Sequence, residues 1–106
     1  SAPEFESLLM EPVIETVTLD EAKEMVAEAN PRTYILDVRS PKEQGGGKLE
    51  NSLNVPLMQL RKNLPKLKAD AIYITTCDTG KRSKLAAYIL NESGFTGYVL
   101  KQETDN

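Results

Sequence analysis

The residues best suited to chemistry lie together in the segment 72–83, which reads IYITTCDTGKRS. Its first half predicts a strand, so Cys77 falls at the carboxyl end of a strand, where open parallel sheets bind ligands. Gly80 can take a positive φ, which lets the loop curl and turn its backbone N–H groups inward. The start of the following helix adds unpaired N–H donors, and Lys81 and Arg82 add positive charge. We therefore predict a thiolate in an anion-binding cup, with the pKa of Cys77 below the ordinary value of about 8.5.

The counts of cysteine and histidine limit what else the chain can do. The sequence has one Cys and no His, so an internal disulfide cannot form, and a structural zinc site or an imidazole acid–base centre is disfavoured. A lone cysteine is typical of an intracellular, reducing compartment, and we expect a cytoplasmic protein. We expect no metal and no cofactor.

Length and composition describe one soluble globular domain. The chain has 106 residues, of which 40% are hydrophobic and 27% charged, with a formal net charge of −3. Its densest basic stretch, residues 61–68, reads RKNLPKLK and is too sparse for a nucleic-acid face. No apolar run approaches the roughly 20 residues that cross a bilayer. We expect neither a nucleic-acid partner nor a membrane.

Strand and helix patterns alternate along the chain. Thr18 and Glu21 match a capping box at the start of a helix. The predicted strands are 16–17, 34–38, 52–55, 71–76 and 98–100, and the predicted helices are 19–29, 42–44, 57–62 and 81–91. Such alternation predicts an α/β fold in which helices cover a parallel sheet. Residues 1–15 have neither pattern and are predicted to be a linker or arm, with the domain at 16–106.

Three segments resemble those of the rhodanese-fold sulfurtransferases. The loop at 77–83 is similar to their active-site pattern C-x-x-G-x-R-S. Residues 35–43, ILDVRSPKE, resemble the family's segment of a hydrophobic residue, Asp, Val, Arg and then Glu. Residues 47–56, GKLENSLNVP, resemble its Gly-His-Ile-x-Gly-Ala-x-Asn-x-Pro. The resemblance covers about residues 16–100 and implies a three-layer sandwich, with a mainly parallel central sheet and helices on both faces.

This resemblance implies sulfane-sulfur transfer through a persulfide on Cys77. The donor would be a small molecule such as thiosulfate, and the acceptor cyanide, a small thiol or a protein thiol. The implied substrate-binding loop consists of Asp78, Thr79, Gly80, Lys81, Arg82 and Ser83. Asp37 and Arg39 lie two apart on a predicted strand, and we expect them to form a supporting ion pair or to brace a loop.

Several positions depart from the family's pattern. Lys48 stands where the family usually has His, and Asn51 where it has Gly. The usual closing helix after the last strand has no counterpart, so we expect the domain to lack it. Asp78 follows the cysteine, where members that use thiosulfate often carry a basic residue. Its carboxylate repels anionic donors and opposes thiolate formation, so the loop is expected to bind an anion without favouring thiosulfate.

The sequence also bears on functions other than sulfur transfer. Cysteine phosphatases use C-x5-R, and the C-x4-R spacing from Cys77 to Arg82 makes a smaller loop that disfavours phosphate. Arsenate reduction stays open. Residues 45–48, GGGK, fail as a phosphate-binding loop because Leu49 stands where Ser or Thr is required. A rival hypothesis is a catalytically weak regulatory or redox-sensing module of a larger protein, with a regulatory domain fused on the N-terminal side of the acidic arm.

Overall fold

The computed structural model describes residues 13–102, and the predicted arm therefore lies mostly outside the described part. One sheet has the strand order β1-β5-β4-β2-β3, and all of its neighbouring strands are parallel. The strands are β1 (Thr16–Val17), β2 (Thr33–Asp37), β3 (Leu53–Asn54), β4 (Ile72–Thr76) and β5 (Thr96–Leu100). The helices are α1 (Leu19–Glu28), α2 (Leu60–Asn63) and α3 (Lys81–Glu92). The predicted α/β fold with a parallel sheet is confirmed.

Two apolar clusters show how the layers form, because alternate residues of a strand point to opposite faces. On β4, Tyr73 belongs to the cluster beneath α3, whereas Ile74 belongs to the cluster that includes Ala22 of α1. The first cluster also includes Leu36, Leu60, Ala86, Ile89 and Leu90. Helices thus cover both faces of the sheet, and the carboxyl ends of β2 and β4 emerge side by side between the layers.

The predicted capping box fixes the start of α1. The Thr18 Oγ1 accepts a hydrogen bond from the Glu21 N–H at 3.1 Å, and the Glu21 carboxylate accepts one from the Thr18 N–H at 2.8 Å. These bonds satisfy donors that the first turn of a helix leaves unpaired. Among the described residues no helix is long and apolar enough to span a membrane.

Two predicted helices were wrong in form. The predicted helix at 42–44 is a 3-10 turn at Glu43–Gly46, and the backbone breaks only at Gly47, whose φ is 126°. The predicted helix at 57–62 is instead a 3-10 turn at Leu57–Gln59 followed by the single turn of α2. Pro56 and Pro65 flank this short segment, and a second 3-10 turn covers Leu64–Lys66. Short segments of this kind favour the tighter i→i+3 bonding over a longer α-helix.

The last strand starts two residues earlier than predicted because α3 holds it. The Asn91 side chain donates to the Gly97 carbonyl at 3.1 Å and accepts from the Gly97 N–H at 2.8 Å. Residues 101–102 follow β5 without a helix. The prediction that the closing helix is missing otherwise falls on residues outside the described part.

Candidate active site

Cys77 lies at the carboxyl end of β4, and the loop that follows closes around its sulfur. The Gly80 N–H donates to Sγ at 3.1 Å and the Ser83 N–H at 3.3 Å. The Ser83 Oγ lies 3.5 Å from Sγ. Gly80 has a φ of 88°, the left-handed conformation that glycine adopts without strain, and this curl is what points the two amides inward. The predicted convergence of backbone N–H groups on the thiol is present.

Opposing effects act on the pKa of Cys77. Burial alone would raise this pKa, because the charged thiolate is disfavoured in a poorly solvated place. The hydrogen bonds of the Ser83 side chain and of the backbone N–H groups of Ser83, Gly80 and Thr79 lower it, and they prevail. The net direction is the predicted one: the pKa lies below its ordinary value.

Cys77 is buried but borders open space. Cys77 is only 6% exposed, yet it lines a cavity of about 440 Å³. The cavity walls come from the carboxyl ends of the strands and the loops after them. They include Asp37, Arg39, Gly47, Lys48, Asp78, Lys101 and Gln102. A small molecule in this cavity would therefore meet the Cys77 residue directly.

Asp37 and Arg39 form the predicted ion pair. The Arg39 Nε donates to both Asp37 carboxylate oxygens, at 3.0 and 3.2 Å, and Nη2 donates to Oδ2 at 2.9 Å. Burial alone would raise the pKa of Asp37, but hydrogen bonds from the Arg39 side chain, the Gln44 side chain and the Arg39 N–H lower it. Arg39 also donates to the Gly47 carbonyl at 2.7 Å, so it braces the loop after β2 as expected.

One partner of Arg39 was not predicted. Its Nη1 donates to the Asp78 carboxylate at 3.1 Å, which joins the loop after β2 to the loop after β4. Asp78 was expected to belong to the substrate-binding loop and to act there as a charge beside the thiol. No local pattern could reveal the pair, because 39 positions separate the two residues along the chain.

Arg82 has a partner that the sequence did not suggest. Its guanidinium donates to both carboxylate oxygens of Glu43, at 2.7 and 2.6 Å. The hydrogen bond to Glu43 raises the pKa of Arg82, and the same contact lowers that of Glu43. Lys81 is exposed at the first position of α3, and its N–H donates to the Thr79 Oγ1 at 3.4 Å. Arg82 thus fastens the loop, and its charge is balanced.

Two contacts of the site were missed in the sequence. Gln102, after β5, donates from Nε2 to the Cys77 carbonyl at 3.1 Å, and its side chain packs over Gly80. Nothing in the sequence signals this contact. The second missed contact joins Ser40 and Glu43: the Glu43 carboxylate accepts a hydrogen bond from the Ser40 N–H at 3.0 Å. The sequence does signal this contact, because the two residues have the spacing of a capping box.

The family comparison agrees with this geometry. The family profile described as "Rhodanese-like domain" matches residues 18–103, which is most of the chain. The chain belongs to the rhodanese-like domain family. Within the described residues no group of three or more Cys, Asp or Glu side chains is placed to hold a metal ion.

The relatives of this rhodanese-like domain include a named sulfurtransferase. It is 34% identical over 77 residues to a tRNA sulfurtransferase of Shewanella piezotolerans, and the matched region covers 69% of this chain and 16% of the relative. It is 32% identical over 65 residues to the Bacillus subtilis protein YqhL, covering 61% of this chain and 52% of YqhL. The chain thus spans about half of one relative and a small part of the other. The match to the tRNA sulfurtransferase supports sulfurtransferase activity at the level of the family.

Solved structures share the fold. The human single-domain sulfurtransferase TSTD1 superposes with a TM-score of 0.72 at 26% identity, covering 83% of this chain and 89% of the human one. Reduced Bacillus anthracis CoADR-RHD superposes with a TM-score of 0.75 at 32% identity, covering 82% of this chain and 15% of that chain. The rhodanese-like domain therefore has structural neighbours both of its own size and within a much longer chain.

Proposed function

We propose that this rhodanese-like domain transfers sulfane sulfur through a persulfide on Cys77. One observation carries the proposal: two backbone N–H groups donate to a thiol sulfur whose residue borders a cavity. Because these donors favour the thiolate, the nucleophile forms without a general base. The absence of histidine from the sequence is thus no obstacle to this chemistry.

In the first half-reaction the Cys77 thiolate attacks the outer sulfur of the donor. With thiosulfate, a new S–S bond forms to Cys77 while the S–S bond of the donor breaks, and its electron pair leaves with sulfite. The persulfide anion then occupies the loop, where the N–H groups of Gly80 and Ser83 that bind Sγ can share its charge. This half-reaction consumes no external oxidant or reductant.

In the second half-reaction an acceptor takes the outer sulfur. A thiolate or cyanide attacks the persulfide, the S–S bond to Cys77 breaks, and the Cys77 thiolate is regenerated. The cavity of about 440 Å³ has room for a small acceptor. Because Cys77 is 6% exposed, a cysteine of a protein partner could reach it only from a protruding segment that enters the cavity.

The decisive experiment is to trap the persulfide. We expect intact-protein mass spectrometry after donor treatment and gel filtration to show an increase of one sulfur atom, which cyanide or dithiothreitol removes. Cys77→Ser is the matched control, and because Cys77 is the only cysteine, any retained sulfur can be assigned to it. Equal sulfur uptake by wild type and Cys77→Ser would overturn the proposal.

The rival function, a regulatory or redox-sensing module, predicts a different result. Such a module needs no persulfide, and its cysteine need not turn over any donor. Failure to form the persulfide with thiosulfate, an organic persulfide or polysulfide, in a folded protein whose thiol still alkylates, would favour the module. The same measurement therefore separates the two functions.

A further inference from the structure

The contacts of Arg39 leave one part of its guanidinium with a replaceable partner. Nε and Nη2 bind the Asp37 carboxylate, which is 1% exposed, and Nη2 also binds the Gly47 carbonyl. Nη1 binds Asp78 instead, whose side chain is 55% exposed. An exposed carboxylate can move aside, whereas a buried one cannot do so without leaving a charge unpaired. Nη1 is therefore the part of Arg39 that a bound anion could use.

The charges of these three residues do not cancel. Asp37 and Asp78 are carboxylates and Arg39 is one guanidinium, so the group carries a net negative charge. All three residues line the same cavity as Cys77. An anion that approaches the sulfur meets this charge, and it also finds Nη1 already bound by the protein's own carboxylate.

We propose that Asp78 determines donor specificity by occupying Arg39, and that it thereby selects against donors with negative charge beside the reacting sulfur. This inference rests on the sulfur-transfer function proposed above. Thiosulfate is the disfavoured type, since its charged oxygens are attached directly to the sulfur that leaves. Donors that are uncharged near the transferable sulfur are the favoured type.

Two lysines that line the same cavity do not affect a comparison of the protein with and without the Asp78 carboxylate. Lys48 and Lys101 are exposed residues of its lining, and their ammonium groups attract anions with or without Asp78. The test therefore replaces Asp78 alone and keeps its shape, as Asp78→Asn. An arginine at this position is a poorer test, because it would set a second guanidinium against Arg39.

The test uses two alkylating reagents that differ in charge and need no sulfur transfer. Iodoacetate is an anion and iodoacetamide is neutral, and both react with the Cys77 thiolate. The ratio of their rate constants at one pH cancels the thiolate fraction and reports the electrostatic environment of the sulfur. We expect Asp78→Asn to raise the ratio of iodoacetate to iodoacetamide by about threefold, the effect of removing one partly exposed charge near the sulfur.

Asp70→Asn is the matched control, because Asp70 is exposed and precedes the opposite end of β4. It changes the net charge equally, and we expect its ratio to equal that of wild type. An unchanged ratio in Asp78→Asn, or an equal rise in both variants, would overturn the assignment of Asp78.

Thiosulfate kinetics give the second readout. We expect Asp78→Asn to lower KM for thiosulfate by more than it changes kcat, because Nη1 is then held only by a neutral amide oxygen, which an anionic donor can displace before sulfur moves. An unchanged KM in an active variant would also overturn the assignment. If the alkylation ratio rises but neither protein forms a persulfide with any donor, the proposed sulfur transfer fails while the anion-excluding role of Asp78 stands.

Discussion

The donors around the Cys77 sulfur all come from residues 79–83, so the chemistry of this thiol is a local property of one loop. The Ser83 hydroxyl is the one side-chain group among them. It is fully buried and also lies 3.0 Å from the Gly80 carbonyl, to which it donates when the thiol keeps its proton. Once the thiolate forms, the hydroxyl can turn its proton towards the sulfur. Ser83 thus stabilises the charged form more than the neutral one.

We predict that Ser83→Ala raises the midpoint of the alkylation pH profile of Cys77. In wild type we expect this midpoint below about 8.5, the ordinary thiol value, because the loop donors favour the thiolate. Losing one hydrogen bond to a charged group should slow alkylation at pH 7 by about twelvefold, or roughly 1.5 kcal/mol. The measurement is the iodoacetamide rate against pH, and Ser93→Ala, at the exposed end of α3, is the control. A wild-type midpoint at or above 8.5 would contradict the role of the whole loop.

Which residues of the site could be predicted depends on how far apart their partners are in sequence. Cys77 and Gly80 were readable, since the strand, the loop and the helix are consecutive. Arg82 was located correctly, but its partner Glu43 was not predicted, because the two residues are 39 positions apart. A charge in a sequence gives its sign, but only the folded chain shows whether another charge balances it.

At the scale of elements, α3 must lie close to β5 for its first turn to reach Cys77. Gly97 permits this approach: a Cβ added there would lie 3.0 Å from both the Ala87 carbonyl oxygen and the Leu90 Cβ. Asn91 clamps the same point through both backbone groups of Gly97. The absence of a side chain in the middle of a strand therefore sets the distance between helix and sheet.

We predict that Gly97→Ala lowers the free energy of unfolding by about 2 kcal/mol, the usual cost of forcing an extra methyl group into a packed interface. Gly45→Ala is the matched control, because a Cβ at Gly45 meets no atom within 4 Å and the residue lies in a 3-10 turn. We expect that control to be neutral or slightly stabilising. Urea unfolding followed by circular dichroism measures both changes, and equal values for the two variants would contradict the packing argument.

The Glu43–Arg82 pair joins the turn after β2 to the first turn of α3. The hydrogen bond to Arg82 lowers the pKa of Glu43 in the folded protein, so folding favours the charged carboxylate. The resulting stabilisation is present above the unfolded pKa of about 4.3 and is lost as the pH falls through the folded pKa.

We therefore predict that Glu43→Gln is less stable than wild type at neutral pH and that this difference disappears in acid. The free energies of unfolding of the two proteins should differ by a constant amount between pH 6 and 8 and converge well below about pH 4. Urea titrations at each pH give the comparison. A difference that persists unchanged at the lowest pH where both proteins fold would contradict the ion-pair explanation.

The elements themselves were predicted better than their ends. Local apolar patterns place β2, β4 and α3 within one or two residues, because burial on a sheet or helix face imposes those patterns directly. The predicted helix at 57–62 was wrong in form because neighbouring prolines act on the backbone without changing the apolar spacing. The start of β5 was also missed, since the Asn91 side chain fixes it from outside the strand.

For the molecule as a whole, the parallel sheet gathers distant residues at one end. β2 and β4 are neighbours in the sheet, so the carboxyl ends of segments far apart in sequence deliver Arg39 and Asp78 to one cavity. Cys77 belongs both to this cavity and to the apolar cluster beneath α3. Unfolding of the domain must therefore release the thiol from its hydrogen-bond donors, which links the titration of Cys77 to global stability.

That link gives a prediction for the entire fold. The pKa of Cys77 is lower in the folded protein than in the unfolded chain, so folding favours the thiolate. Its contribution to stability is complete above the unfolded value of about 8.5 and is lost as the pH falls through the folded pKa. The free energy of unfolding of wild type, relative to Cys77→Ser, should thus rise with pH up to about 8.5 and then level off.

Other titrating groups cancel in this difference because serine does not ionise there. Urea unfolding from pH 6 to 9.5 under reducing conditions measures it. A flat or falling difference would show that the donors around the sulfur do not favour the thiolate when the domain is folded.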